Sequence, residues 1–150
     1  MDVGRKILVL AALTLLAAAG CSTSTSNVEP HTLRGTLTLN PDAIGAWAEG
    51  APCGGGGGYS DLQGGAAAVV RDANGATVAQ TELEPGELQM SMVSDSELSI
   101  GVEPEPLACR LSFSVEVPAT SDFYEVSIGS RDPVPLAADE MDQELLLSIG

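Results

Sequence analysis

In the stretch LSFSVEV, residues 111–117, Leu111, Phe113, Val115 and Val117 alternate with Ser112, Ser114 and Glu116. Side chains two apart on an extended chain share a face, so this run makes a strand with one apolar and one polar side. The period recurs along the chain. HTLRGTLTL (31–39) sets Leu33, Leu37 and Leu39 together, and LSIGV (98–102) does the same for Leu98, Ile100 and Val102. YEVSI (124–128) aligns Tyr124, Val126 and Ile128, and ELLLSI (144–149) aligns Leu145, Leu147 and Ile149. Between AAAVVR and ATVAQTEL stands Asp72-Ala-Asn-Gly75, a hairpin signal because Asn and Gly both tolerate positive φ. Pro85-Gly86 marks another turn. Pro104 and Pro106 exclude a ladder in VEPEPLAC and read as a stiff connector. PLAADEMDQ, 135–143, is the one stretch that reads as a helical turn. Seven or eight short strands and little helix predict an all-β chain, an antiparallel β-sandwich or open barrel.

The first residues impose a second constraint. Arg5 and Lys6 precede an apolar run from Ile7 to Ala19, followed by Gly20 and Cys21. The run is shorter than the ~20 residues a membrane-spanning helix needs. Basic, apolar and small in that order is the pattern of a secretory signal. Ala18-Ala19-Gly20-Cys21 resembles the bacterial lipobox, with Ala18 where that motif usually carries Leu. The resemblance implies cleavage before Cys21 and acylation of its thiol and amine, palmitate included. The expected organisation is a signal peptide at 1–20, a lipidated flexible tether at 21–31 and a β-sandwich domain at 32–150. The polar stretch STSTSNVEPH after Cys21 buries little apolar area and serves as the tether, with His31 at its end. Acyl chains contribute ~0.8 kcal/mol per buried methylene, so two or three of them anchor firmly. The expected location is the extracytoplasmic face of the cell membrane.

Removing residues 1–20 takes away Asp2, Arg5 and Lys6, leaving 20 acidic residues against four arginines, a net charge of −16 with no lysine. Nucleic-acid binding rests on Lys and Arg neutralising phosphates, so it is excluded. The same charge opposes adsorption to anionic lipid and leaves the anchor to hold the chain at the membrane. Cationic partners or calcium suit such a surface.

With Cys21 acylated, Cys53 and Cys109 remain, and an oxidising compartment joins them as a disulfide. A metal site fails on spacing, since neither has a second cysteine nearby and His31 is the only histidine. An immunoglobulin domain needs a tryptophan between its cysteines, and Trp47 precedes Cys53.

The stretch CGGGGGYSDLQGG, 53–65, invites a ligand reading. A phosphate loop leads its glycines into Lys and Ser/Thr at a helix start, whereas this one leads into Tyr59-Ser60. A calcium β-roll needs several copies, and there is one. The expectation is a long glycine loop, tied at the cysteine and mobile elsewhere, with Tyr59 and Asp61 as a possible ligand-facing pair. Asp72-Ala-Asn-Gly75 opens like an EF-hand, but Ala76 and Leu83 occupy positions five and twelve. The acidic groups Glu82/Glu84/Glu87, Glu103/Glu105 and Asp139/Glu140/Asp142/Glu144 read first as solvated faces. Calcium binding is the alternative, and a hydrolase using two carboxylates ranks after it. There is no Gly-x-Ser-x-Gly.

The Cys53 glycine stretch, then GGAAAVVRDANGATVA, then CRLSFSVEVPATSDFYEVSIGSR and a closing LLLSIG resemble a group of uncharacterised exported proteins and lipoproteins of actinobacteria. The resemblance covers roughly residues 31–150. It implies a β-rich extracytoplasmic domain and implies no activity. The expected function is a non-enzymatic binding or structural module of the envelope, without a cofactor, acting on a protein or small-molecule partner.

Overall fold

The computed structural model describes residues 29–150. The signal segment, Cys21 and nearly all of the tether lie outside the described residues. Eight strands form: β1 (His31–Leu39), β2 (Ala67–Asp72), β3 (Thr77–Glu82), β4 (Glu87–Met90), β5 (Pro106–Val117), β6 (Phe123–Ile128), β7 (Val134–Ala137) and β8 (Glu144–Ile149). They make two sheets, in the orders β4-β5-β1-β8 and β3-β2-β6-β7. The described residues thus form a β-sandwich. The hairpins β2–β3, β4–β5 and β6–β7 each stay in one sheet, and the connections between them cross to the other. β1 runs antiparallel to β5 from His31 opposite Val117 to Leu39 opposite Cys109. Its other neighbour, β8, is parallel, with Leu39 opposite Ile149.

The alternating faces meet as the sequence expects. Leu33, Leu37 and Leu39 of β1 and Leu111, Phe113 and Val117 of β5 lie buried against Ala68, Val70, Tyr124, Val126 and Ile128 of the second sheet. No polar or charged residue is buried among the described residues. Gly35 stands opposite Phe113 because a Cβ there would collide with the Phe113 ring. Tyr124 is fully buried, yet its hydroxyl donates to the Pro118 carbonyl (2.7 Å) and accepts from the amides of Thr120 and Ser121. That hydroxyl fixes the bend where the chain leaves β5 for β6, a device found at corners of sandwich folds.

At one edge the sheets are stitched. Beyond β3 the Glu84 amide donates to the Ser112 carbonyl of β5 at 2.8 Å, as the chain passes from one sheet to the other. At the opposite edge β7 and β8 leave a cleft of about 290 Å³, lined by Leu37, Val126, Ile128, Val134, Leu147 and Ile149.

Several expectations need correction. His31 is not in the tether: it opens β1, with Nδ1 3.2 Å from Asp142 and its ring edge-on to Tyr124. Leu98, Ile100 and Val102 do not share a strand. Residues 95–99 form the helix α1 (Asp95–Ser99), and all three side chains are exposed. Pro106 heads β5 opposite Met90, at a register shift, where a first residue tolerates proline. The helical turn expected over 135–143 is β7 followed by a single 3₁₀ turn, Ala138–Glu140. In the Asp72–Gly75 hairpin only Gly75 has positive φ, at 79°. The Gly75 amide donates to the Asp72 carbonyl, and Asp72 Oδ1 accepts from the amides of Asn74 and Ala76 at 2.9 Å. This is a common right-handed turn closed by one left-handed glycine, one of the longer hairpin connections.

Cys53 and Cys109 are joined, with Cα atoms 5.9 Å apart and a sequence separation of 56. A crosslink closing a loop of that length stabilises by roughly 4 kcal/mol in the chain-entropy account. Small domains hold only ~5–15 kcal/mol in total. Replacing both cysteines by alanine is expected to lower the unfolding free energy by about 4 kcal/mol in urea titration, and a loss under about 1 kcal/mol would contradict the staple's role.

Candidate functional site

The glycine stretch is not slack. The Gly45 amide donates to Gly54 O at 2.9 Å, Gly56 to Ala43 O at 2.9 Å and Gly55 to Leu62 O at 2.7 Å. Backbones approach so closely that a Cβ on Gly55 would strike the Tyr59 carbonyl, and one on Gly56 would lie 2.5 Å from Gly45 Cα. The glycines are there for contact, and the expected mobility gives way to a hydrogen-bonded layer that covers one end of the core. Leu62, fully buried, is its apolar plug.

The structure brings Tyr59 and Asp61 together, around a third residue the sequence did not single out. Arg131, in the β6–β7 turn, donates through Nη2 to Asp61 Oδ1 and to the Gly58 carbonyl (2.7 Å). Its guanidinium carbon lies 5.2 Å from the centroid of the Tyr59 ring. Asp61 Oδ2 accepts from the Ser130 amide (3.0 Å) and hydroxyl (2.7 Å). Both carboxylate oxygens are therefore engaged within the chain. The arginine first, and then Ser130, hold the Asp61 carboxyl far below its ordinary range. This clasp fastens the glycine layer to the second sheet.

The acidic clusters do not converge. Glu84 accepts from Ser112 Oγ (2.7 Å), Glu144 from Thr36 Oγ1 (2.8 Å), Glu140 from the Ala137 amide (3.0 Å) and Asp142 from the Thr32 amide (3.3 Å). Glu82, Glu103, Glu105 and Asp139 are exposed. Among the described residues no three His, Cys, Asp or Glu side chains gather as a metal ion needs. The outer face of the β4-β5-β1-β8 sheet carries a shallow polar depression of about 590 Å³, with Thr36, Thr38, Ser112 and Arg110 in its floor. Two of its hydroxyls already serve Glu84 and Glu144.

One concave apolar surface stands out. Trp47, Leu88, Met90, Val93, Leu98 and Pro104 line a groove of about 650 Å³, with Glu49 and Glu103 among its walls. It is built by the excursion between β4 and β5, residues 91–105. The neck is closed by two bonds, Ser91 N to Glu105 O and Glu105 N to Ser91 Oγ, each 2.8 Å. Loops of this length with pinned ends are compact and often functional. Inside it α1 is capped at both ends. Glu97 accepts from the Ser94 amide (2.8 Å) and hydroxyl (2.6 Å). Gly101, at φ 85°, lets Val102 N reach Glu97 O and Gly101 N reach Leu98 O, a closure that needs left-handed backbone. Yet α1 buries no residue. Leu98, Ile100 and Met92 are 50%, 78% and 99% exposed. Apolar alternation over 98–102 hides this helix, and Ser94-x-x-Glu97 is the signal that reveals it.

The chain matches no protein-family model, and comparison with curated proteins and with solved structures finds no significant match. Among the described residues no helix is long and apolar enough to cross a membrane.

Two outcomes test the clasp and the layer. A carboxyl whose folded pKa is depressed stabilises fully above its unfolded value near 4 and loses that contribution as pH falls below it. Asp61→Asn should therefore cost stability at pH 7 and flatten the acid limb of urea midpoints measured between pH 2.5 and 7. A variant that keeps the wild-type acid limb would contradict the clasp. Gly55→Ala should cost at least about 2 kcal/mol. Gly58→Ala, whose Cβ meets nothing within 4 Å, should stay within about 0.5 kcal/mol of wild type. Equal melting temperatures for the two would restore the slack loop.

Proposed function

We propose that this chain is a lipid-anchored binding module of the cell envelope, facing away from the cytoplasm. The observation that carries the proposal is the Cys53–Cys109 bond, because such bonds persist in oxidising compartments. The N-terminal order of basic, apolar and small residues ending at Cys21 supports the same reading from the other end of the chain. Removal of residues 1–20 and acylation of Cys21 would leave the short polar stretch before His31 as the link to the bilayer. With a net charge of −16, the folded part is repelled by anionic headgroups and stands off the surface.

Binding, rather than catalysis, is favoured by what the groove offers. Its lining is apolar surface with carboxylates at the walls and one serine, Ser91. Apolar concavity with a few polar groups is the general form of a recognition site. A pinned excursion that holds apolar side chains in water is a feature of surfaces meant to be covered.

Cell fractionation and intact mass test the anchoring. The native protein is expected in the membrane fraction, with an N-terminal peptide that begins at Cys21 and carries diacylglycerol and acyl mass. Cys21→Ser should move it to the soluble exported fraction. Recovery of an intact leader with an unmodified Cys21 would overturn the proposal.

A further inference from the structure

We propose that the groove beside Trp47 binds a basic, apolar segment of a partner protein, an inference that rests on reading the chain as a binding module. Three observations carry it. The excursion 91–105 spends both helix caps and a double-bonded neck on a segment that buries no residue of α1. The fold thus holds Leu98 and Ile100 in solvent by local bonds, independent of the core. The surroundings have one sign: Glu49 and Glu103 line the groove, and Asp95, Glu97 and Glu105 belong to the same excursion. No arginine lines it, and the chain beyond Cys21 has no lysine. An apolar lining that includes two carboxylates is complementary to apolar side chains flanked by Lys or Arg.

The same charges decide against other occupants. A second copy would bring acidic walls against acidic walls, and anionic lipid would be repelled. The position of the groove agrees. β5 runs from Val117, opposite His31, to Pro106 at the excursion, roughly 35 Å at 3.3 Å per residue. The groove therefore lies at the end of the sandwich away from the start of β1, where the chain arrives from the tether.

Trp47 is the only tryptophan in the chain and lines the groove, so its emission reports occupancy. The test uses the full chain as Cys21→Ser, which has no thiol at that position to acylate. Its probes are a synthetic Leu/Lys peptide of helical spacing, the matching Leu/Glu peptide, and vesicles of anionic phosphatidylglycerol, with calorimetry run alongside. The expected result is a saturable blue shift with Leu/Lys alone, weakened in about 0.5 M salt, where the screening length falls to a few ångström. Leu98→Gln with Ile100→Gln, which removes apolar surface without adding charge, should weaken binding by on the order of tenfold or more. Its melting temperature should hold, since neither side chain is buried. The proposal is overturned by no heat and no shift with Leu/Lys, by equal binding of Leu/Glu, or by undiminished binding to the double variant. It is equally overturned if vesicles give the same shift, or if emission shifts with protein concentration alone. None of these outcomes bears on where the chain is anchored, which fractionation reads separately.

Discussion

The bond between Cys53 and Cys109 is the constraint around which the rest is arranged. Cys109 sits on β5, opposite Leu39 of β1 on one side and Leu88 of β4 on the other. Cys53 lies at the head of the glycine layer. The crosslink therefore ties a segment with almost no side chains of its own to the middle of a sheet. What surrounds it follows from that. Gly86 pairs with Cys53 across a bridge, and a Cβ there would strike the Cys53 carbonyl and lie 2.8 Å from Cys109 Sγ. Only a bare backbone fits under the sulfurs. The Arg131–Asp61 clasp then fastens the far end of the same layer to the second sheet. A layer of glycines has little to bury, and each glycine loses more backbone freedom on ordering than any other residue. It can be held only by covalent and polar ties at both ends, and both are present.

Charge is the second constraint, and the sandwich meets it by dispersal. Twenty carboxylates against four arginines beyond residue 20 would strain a compact chain if they clustered. Instead, several of them accept from a neutral donor close by, a serine or threonine hydroxyl or a main-chain amide. The cations are not spread at random either. Arg131 is committed to the clasp and Arg71 reaches Ser127 on the neighbouring strand (3.2 Å). Arg34 and Arg110 stand on the outer face of the first sheet, opposite Ser114 and Thr38 in register. None of the four lines the groove beside the excursion, where apolar exposure is combined with a single sign of charge.

How much of this the sequence shows depends on which force shapes each segment. β1 and β8 are legible end to end, because an uninterrupted period of two reflects burial against a second sheet. β5 is legible from Leu111 onward and hidden before it by Pro106. β4 and β7 are too short for a period to register, and Pro135 disguises β7, an edge strand where proline is allowed. Core residues such as Leu62 and Met141 come from turns, where no periodicity points inward. The disulfide could be argued from compartment and count alone. The clasp could not, because Asp61 and Arg131 stand seventy positions apart and only the folded sheets bring them together.

The segment 98–102 shows why the candidate site was the hardest part to read. Alternation of Leu98, Ile100 and Val102 is the same signal that correctly marks β1, but a period reports burial only when there is a sheet to bury against. Here local bonds decide first. Ser94 and Glu97 fix the start of a helix, Gly101 fixes its end, and the pattern of apolar residues is left to face water. Each cap contributes about 1 kcal/mol, comparable to what partial burial of one small aliphatic side chain would return. Two caps and a closed neck therefore favour a helical turn over a strand across these residues. A surface that is apolar by composition and exposed by local bonds cannot be explained by the demands of folding alone, and under the proposed reading it is where a partner would be met.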